Sequence, residues 1–326
     1  MCSKIVDYHG KIVLAPMVRI GELPTRLLAL KYGADLVWGP EVVDKALIHG
    51  EICKRGTKTD KINCIDFVKP KSNTVLYRIH PIEKSRLVFQ LGSSDPELAV
   101  RAARVIAGDV AAIDLNCGCP KHFSVHSGMG AALLKNVDRL EGILVALVQN
   151  IGIPFNIGIS AKIRILENIE ETETMVRRLC KTGIIGLTVH CRTVSMRNKE
   201  KAIRDQLKMI SKVCREKGVA CIANGDIINK KDGLHVIKEW NTDGAMIARA
   251  AQKNLSCFRS EGLLPPLEVA QEWLRIAIEF DNSFSNTKFC ISHILDDKSI
   301  PRKTIYQAFR NAKSFSEMSK ILELNI

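Results

Sequence analysis

Short apolar runs alternate with stretches of helical spacing along the first 250 residues. Lys11–Leu14 reads as a strand that ends at Pro16-Met17. Leu23–Tyr32 has helical spacing, with Pro24 tolerated in its first turn. Asp35–Trp38 reads as a second strand, running on to Glu41. Further strands are predicted at Leu87–Gly92, Ala111–Leu115, Ile159–Ile165, Ile184–His190, Val219–Asp226 and Gly244–Arg249. Helices are predicted between them: from Ser94-Asp95-Pro96-Glu97 towards Ala107, then Val137–Gln149, Ile169–Lys181, Ala202–Lys217 and Lys231–Trp240. His126–Leu134 reads as a Gly-rich turn opening a helix.

Eight strands alternating with helices over about 250 residues is the size of a (β/α)8 TIM barrel, the α/β fold expected here. A doubly wound open sheet is the alternative, but no strand is followed by the Gly-x-Gly-x-x-Gly turn of a dinucleotide fold. Residues 45–86 break the rhythm. Ile65–Val68 and Val75–Ile79, around Lys69-Pro70-Lys71-Ser72-Asn73, predict a hairpin inserted at about 60–80. Beyond Pro265-Pro266 the pattern becomes helical, at Leu267–Phe280, Asn286–Leu295 and Thr304–Phe309. The expected organisation is a barrel over 1–265 and a small C-terminal helical domain over 266–326.

Composition narrows the partners. Lys and Arg number 48 against 35 Asp and Glu, a net charge of +13, which favours a polyanion such as nucleic acid. The excess is concentrated. Residues 45–86 carry ten basic against four acidic side chains, and residues 192–217 carry nine against three. These two segments are the expected polyanion-facing regions. The 11 cysteines are odd in number and irregularly spaced. With no leader-like stretch at Met1-Cys2-Ser3-Lys4, reduced thiols and a cytoplasmic protein are expected. No uncharged apolar run is long enough to span a bilayer.

The densest chemistry is Asp114–Lys121, Asp-Leu-Asn-Cys-Gly-Cys-Pro-Lys, delivered at the end of a strand. Pro120 holds Cys119 extended, and Gly118 permits a close approach. A buried hydrophobic cysteine is one reading of such a thiol. A zinc site is another, but Cys117, Cys119, His122 and His126 crowd a single turn, whereas zinc sites draw ligands from two separated knuckles. No metal is expected. The third reading is a catalytic thiol. In a barrel the strand ends share one face, which would gather Met17, Glu41, Gln90, Asn116, Cys119, Lys162, His190, Asn224-Gly225-Asp226 and Ala248-Arg249. The last two loops of a barrel are where phosphate groups bind.

Several of these segments resemble the tRNA-dihydrouridine synthases. They are Ala15-Pro-Met-Val-Arg19, Asn116-Cys-Gly-Cys-Pro-Lys121, Gly128–Leu134, Ala161-Lys-Ile-Arg164, Val189-His-Cys-Arg192 and Ala223-Asn-Gly-Asp226. Asp281–Cys290 is similar to the eukaryotic branch associated with position 20 of the tRNA D-loop. The resemblance runs from about residue 11 to about residue 310 and implies a flavin-binding barrel. It further implies FMN reduced by NADPH, hydride transfer to C6 of a uracil in tRNA, and a proton from Cys119 to C5. Gln90, Lys162 and His190 would contact the flavin ring with Pro16 and Met17 beside it. Asn224, Gly225, Asp226, Ala248 and Arg249 would hold the phosphate. Asn116 and Arg192 would face the substrate. A thiol of ordinary pKa, about 8.5, keeps its proton near neutrality and can act as a general acid. The sequence departs from the family pattern at Cys117, at Trp38-Gly39-Pro40-Glu41 and at Cys191. It also ends at Ile326 without the double-stranded-RNA-binding domain that animal members often append. Two other functions fit parts of the pattern. A small-molecule flavin oxidoreductase of the dihydropyrimidine or dihydroorotate type has no need of the +13 charge. A non-catalytic RNA-binding relative would hold no yellow chromophore.

Overall fold

The structure, a computed structural model, describes residues 6–48, 54–57, 62–69, 74–197, 199–300 and 302–324. In chain order its strands are β1 (Lys11–Leu14), β2 (Leu36–Trp38), β3 (Val42–Val43), β4 (Lys54–Thr57), β5 (Ile65–Lys69), β6 (Thr74–Ile79), β7 (Leu87–Gly92), β8 (Ala112–Asn116), β9 (Gly158–Arg164), β10 (Gly186–His190), β11 (Ala220–Asn224) and β12 (Gly244–Ile247). Eight of these pair in parallel in the order β2-β1-β12-β11-β10-β9-β8-β7, and β2 closes the ring on β7. The fold is the expected (β/α)8 TIM barrel.

The side-chain period of two along each strand separates two cores. On β1, Ile12 and Leu14 join the large apolar cluster between barrel and helices, whereas Val13 and Ala15 join a small cluster with Trp38, Val88, Ala112, Ile222 and Met246. The same period turns Gln90, Asp114, Asn116, Lys162, His190 and Asn224 inward. Register then brings them together at the barrel's carboxyl end: Gln90 lies opposite Asp114, Asn116 opposite Lys162, and His190 opposite both Arg164 and Asn224. Polar residues therefore fill the barrel's carboxyl end, and apolar residues fill its lower interior.

The inserted hairpin is present as β5 and β6, with β4 added as a third antiparallel strand. Its predicted turn at 70–73, and residues 49–53 and 58–61 of the first basic segment, lie outside the described residues. Two buried ion pairs secure this insertion. Arg26, in the helix Leu23–Lys31, gives Nε and Nη2 to the two Glu83 oxygens at 2.8 and 2.7 Å, and both side chains are fully buried. Arg78 likewise pairs with Asp66, at 2.6 and 2.8 Å. Tyr77 packs over the barrel where an added Cβ on Gly39 would fall on its hydroxyl, which accounts for the glycine in Trp38-Gly39-Pro40-Glu41.

The C-terminal region holds helices Pro266–Glu279 and Phe284–Leu295, a π turn at Arg302–Tyr306, and helices Gln307–Asn311 and Phe315–Ile321. Its apolar side chains join the outer barrel cluster, and Trp273 Nε1 donates to Thr25 Oγ1 at 3.0 Å. Three predicted elements are corrected. The second strand stops at Trp38, and residues 42–43 form a separate short strand. Residues 202–206 are not helical: the amides of Ala202 and Ile203 bond to Asp226 and to the Cys191 carbonyl instead. A short α-helix, His122–His126, precedes the Gly-rich turn, and the helix after the turn, Gly130–Lys135, is of 3-10 type. No helix among the described residues is long and apolar enough to cross a membrane.

Candidate active site

The loop after β8 is built around Asn116. Its Oδ1 accepts from the backbone N–H groups of Gly118 and Cys119, at 3.0 and 3.1 Å. Arg164 Nε donates to the Gly118 carbonyl at 2.7 Å, and the Ala131 N–H to the Cys119 carbonyl at 3.0 Å. Gly130, at φ 58°, packs so close that an added Cβ would lie 2.6 Å from that same carbonyl oxygen. The two thiols part company here. Cys117 is fully buried, with Sγ 3.4 Å from the Leu115 carbonyl, and burial pushes its thiol well above the usual range. Cys119 is half-buried and faces a cavity.

That cavity, of about 790 Å3, opens at the carboxyl end of the barrel. Every expected site residue lines it: Pro16 and Met17 after β1, Gln90, Asn116, Cys119, Lys162, His190, Arg192, Asn224, Gly225 and Asp226, and Ala248 and Arg249 after β12. Its size is that of a cofactor or ligand pocket.

The groups are held by one another. Asn224 Nδ2 donates to the Met246 carbonyl at 2.9 Å, which aims Oδ1 at Lys162 Nζ, 3.0 Å away. Burial lowers the Lys162 pKa to about 8, against the opposing pull of Asp114. Asp114 lies beneath, fully buried. It accepts from Gln90 Nε2 at 2.9 Å and Ser160 Oγ at 2.8 Å, and burial raises its pKa to about 6. His190 is driven down to about 2, first by burial and then by the positive charges of Lys162, Arg164, Arg192 and Arg249, so its imidazole is neutral at any physiological pH.

Arg192 does not present a free guanidinium. It is 2% exposed and bonds to both Asp226 oxygens, to the Glu200 carbonyl and, at 3.2 Å, to His190 Nε2. Arg249 pairs with the same Asp226. The carboxylate of Asp226 thus ties the β10, β11 and β12 loops together, with its own backbone at φ 55°.

Sequence reasoning missed Asp114 and Arg164 as parts of the site. The signal for both was their place in the strand alternation, two residues from Asn116 and from Lys162. Glu41 also lines the cavity. Its carboxyl is raised by burial, opposed by a hydrogen bond with Asn116. His122 and His126 stack at 5.5 Å outside the cavity, and no cluster that could hold a metal occurs among the described residues.

Comparison with known families matches residues 13–320 to the family described as dihydrouridine synthase. The chain belongs to the dihydrouridine synthase family. Among its relatives is a protein named tRNA-dihydrouridine(20) synthase (NAD(P)+) from Schizosaccharomyces pombe, 57% identical over 98% of this chain and 66% of the relative. A protein of the same name from Saccharomyces cerevisiae is 44% identical over 98% of this chain and 85% of the relative. The chain thus spans just under two thirds of the length of the first of these. A human tRNA-dihydrouridine(20a/20b) synthase-like protein is 28% identical over 83% of this chain and 78% of its own length. The departures from the family pattern at positions 117 and 191 are both side chains that point away from the cavity into the core, at 0% exposure.

Proposed function

We propose that this dihydrouridine synthase reduces a uridine of tRNA to 5,6-dihydrouridine, using FMN as cofactor and NADPH as reductant, with position 20 as the target. The residues fit a flavin mononucleotide. Ala15, Met17 and Met246 give an apolar wall, and Gln90, Lys162 and His190 place polar atoms on the inner strand ends. The segments 224–226 and 248–249 suit the phosphate, with Arg249 adding charge. Reduced FMN in this cavity would supply the hydride that goes to C6 of the uracil.

The remaining work falls to the chain. Cys119 holds a proton at the cavity mouth and gives it to C5 as negative charge develops there. Asn116 and Arg164 hold the Cys119 loop through its backbone. Lys162 provides the positive charge beside the flavin, and neutral His190 offers a hydrogen bond without adding charge. Arg192 acts through Asp226 and His190 rather than by touching the base. The uridine must leave its stack to enter, and the basic segments 45–86 and 192–217 draw the polyanion in. Arg78 and Arg192 contribute little to that attraction, being buried themselves and each paired with an acid.

The observation that carries this reading is the contrast between Cys119, facing the cavity, and Cys117, sealed in the core. The test is single turnover of pre-reduced holoenzyme with unmodified tRNA, read as dihydrouridine. Cys119→Ala should keep flavin and its reduction by NADPH while losing most product. Cys117→Ala should stay within about threefold of wild type, since it only trims a buried side chain. Fast turnover by Cys119→Ala overturns the assignment, and protein that takes up no FMN overturns the cofactor.

A further inference from the structure

Arg19 follows directly on Pro16, Met17 and Val18, which line the cavity. Its side chain is exposed, and its backbone lies at φ 68°, a conformation that suits glycine and strains an arginine. The helix Phe284–Leu295 holds it there. Asn286 Nδ2 donates to the Arg19 carbonyl at 2.6 Å, and the Cys290 thiol donates to the same oxygen at 3.2 Å. The Phe289 ring lies under the guanidinium, its centroid 3.8 Å from the central carbon. Residues 286, 289 and 290 share one helix face, so a single face grips both the backbone and the charged head of Arg19. The Asn286 amide is itself oriented, because its Oδ1 accepts from Asn282 Nδ2 at 3.1 Å. These residues fall within Asp281–Cys290, the segment similar to the position-20 branch, which the cavity does not use.

Packing alone gives no reason for an arginine in this place. Arg26, Arg78 and Arg192 are each buried against an acid. Arg19 pairs with no acid among the described residues, and stacking occupies one face of its guanidinium while leaving the N–H edges open. A planar cation held in this way is suited to donate two parallel hydrogen bonds to a phosphate diester. A uridine inserted in the cavity brings its flanking phosphates to the mouth, where Val18 is exposed. We propose that Arg19 is a positioning residue that binds a backbone phosphate of tRNA next to the target uridine, and that the helix Phe284–Leu295 pre-orders it for that contact. The C-terminal helices then take part in substrate placement without touching the reacting atoms. This inference rests on the tRNA-reducing function proposed above.

Arg19→Gly separates the two things the residue could do. Glycine takes φ 68° without strain, so the variant holoenzyme should melt no lower than wild type. Steady-state dihydrouridine formation on unmodified tRNA should show KM raised about tenfold, with kcat within about twofold. The dependence of log affinity on log salt should lose about one unit of slope. Unchanged KM and salt slope in the folded variant overturn the proposal. So does a lowered melting temperature with KM unchanged, which would make Arg19 a latch between barrel and helices. Should Arg19→Gly fail to fold, Arg19→Gln carries the same comparison, since it removes the charge and keeps much of the stem. Wild-type holoenzyme that forms no dihydrouridine sinks the underlying function. Active wild type with unaltered variants sinks only the role of Arg19.

Discussion

Gly130→Ala tests how the Cys119 loop is held. Gly130 adopts φ 58°, and an added methyl would land on Ser124 Oγ, 2.6 Å from the Cys119 carbonyl oxygen and 3.1 Å from Cys119 Cβ. Left-handed backbone costs an alanine about 1–2 kcal/mol. The contact with the carbonyl can be relieved only by moving Cys119, which gives up the Ala131 N–H bond at 3.0 Å, worth about 1 kcal/mol. The sum is about 2–3 kcal/mol. Gly218→Ala is the matched control, because Gly218 lies at φ 68° with nothing within 4 Å of an added Cβ. It should cost only the conformational part. Urea unfolding of both variants measures the difference, about 1 kcal/mol. Single-turnover dihydrouridine formation measures its consequence, since displacing a reacting group by about 1 Å can cost on the order of a hundredfold in rate. Equal destabilisation by the two substitutions, together with wild-type turnover in Gly130→Ala, would refute the claim that this contact positions the thiol.

Further outcomes follow from the buried charges. Lys162 is a cation below about pH 8 and neutral above it, so FMN affinity, read by flavin fluorescence quenching, should fall as pH rises from 7 to 9 and should hold up in Lys162→Arg. In the apo protein the linkage has the opposite sign. The folded chain releases this proton at about 8 and the unfolded chain near 10.5, so the Lys162 contribution to stability rises with pH across that window and should vanish in Lys162→Met. Arg26→Met strands Glu83 without its partner at full burial, and urea unfolding should register a loss of about 3–5 kcal/mol. Adding Glu83→Leu should recover much of it, and a double variant no more stable than the single would show that the barrel needs the pair for its geometry.

The barrel was legible because polar residues close its apolar strands. Gln90, Asn116, Lys162, His190 and Asn224 each stand at or near the end of an apolar run, and the closed ring brings them together at its carboxyl end. What escaped the sequence was decided by partners distant in the chain. Residues 202–206 have helical spacing, yet Asp226 and the Cys191 carbonyl claim the amides that a helix would use. The second strand ends at Trp38, and Tyr77, from a later insertion, occupies the space a side chain at Gly39 would need. The helix Phe315–Ile321 is a different case. Its signal was local, Ser314 capping the Glu317 amide at 3.1 Å, and it went unread because no long apolar period followed.

Asp114 shows why a site can be only half visible. Within Ala-Ile-Asp-Leu-Asn it reads as one polar residue of a strand, and nothing local marks it as buried. The inward period places it under Lys162, where it fixes the Gln90 amide and lends Lys162 negative potential. The acid and the lysine are 48 residues apart, and their coupling exists only once β8 and β9 lie in register with Asn116 beside Lys162. The residues that meet the ligands are set by local pattern at strand ends, while the groups that tune their charge sit one layer down, and only strand register brings the two layers together. Substitutions in the lower layer should therefore act on flavin affinity and its pH dependence through Lys162, while leaving Cys119 and its proton transfer in place. Asp114→Asn, which keeps a polar group beneath Gln90 but removes the charge, should lower the pH at which FMN binding weakens, because Lys162 loses the neighbour that raises its pKa. A pH profile in Asp114→Asn superimposable on wild type would mean that burial alone sets the lysine and that the lower layer is structural.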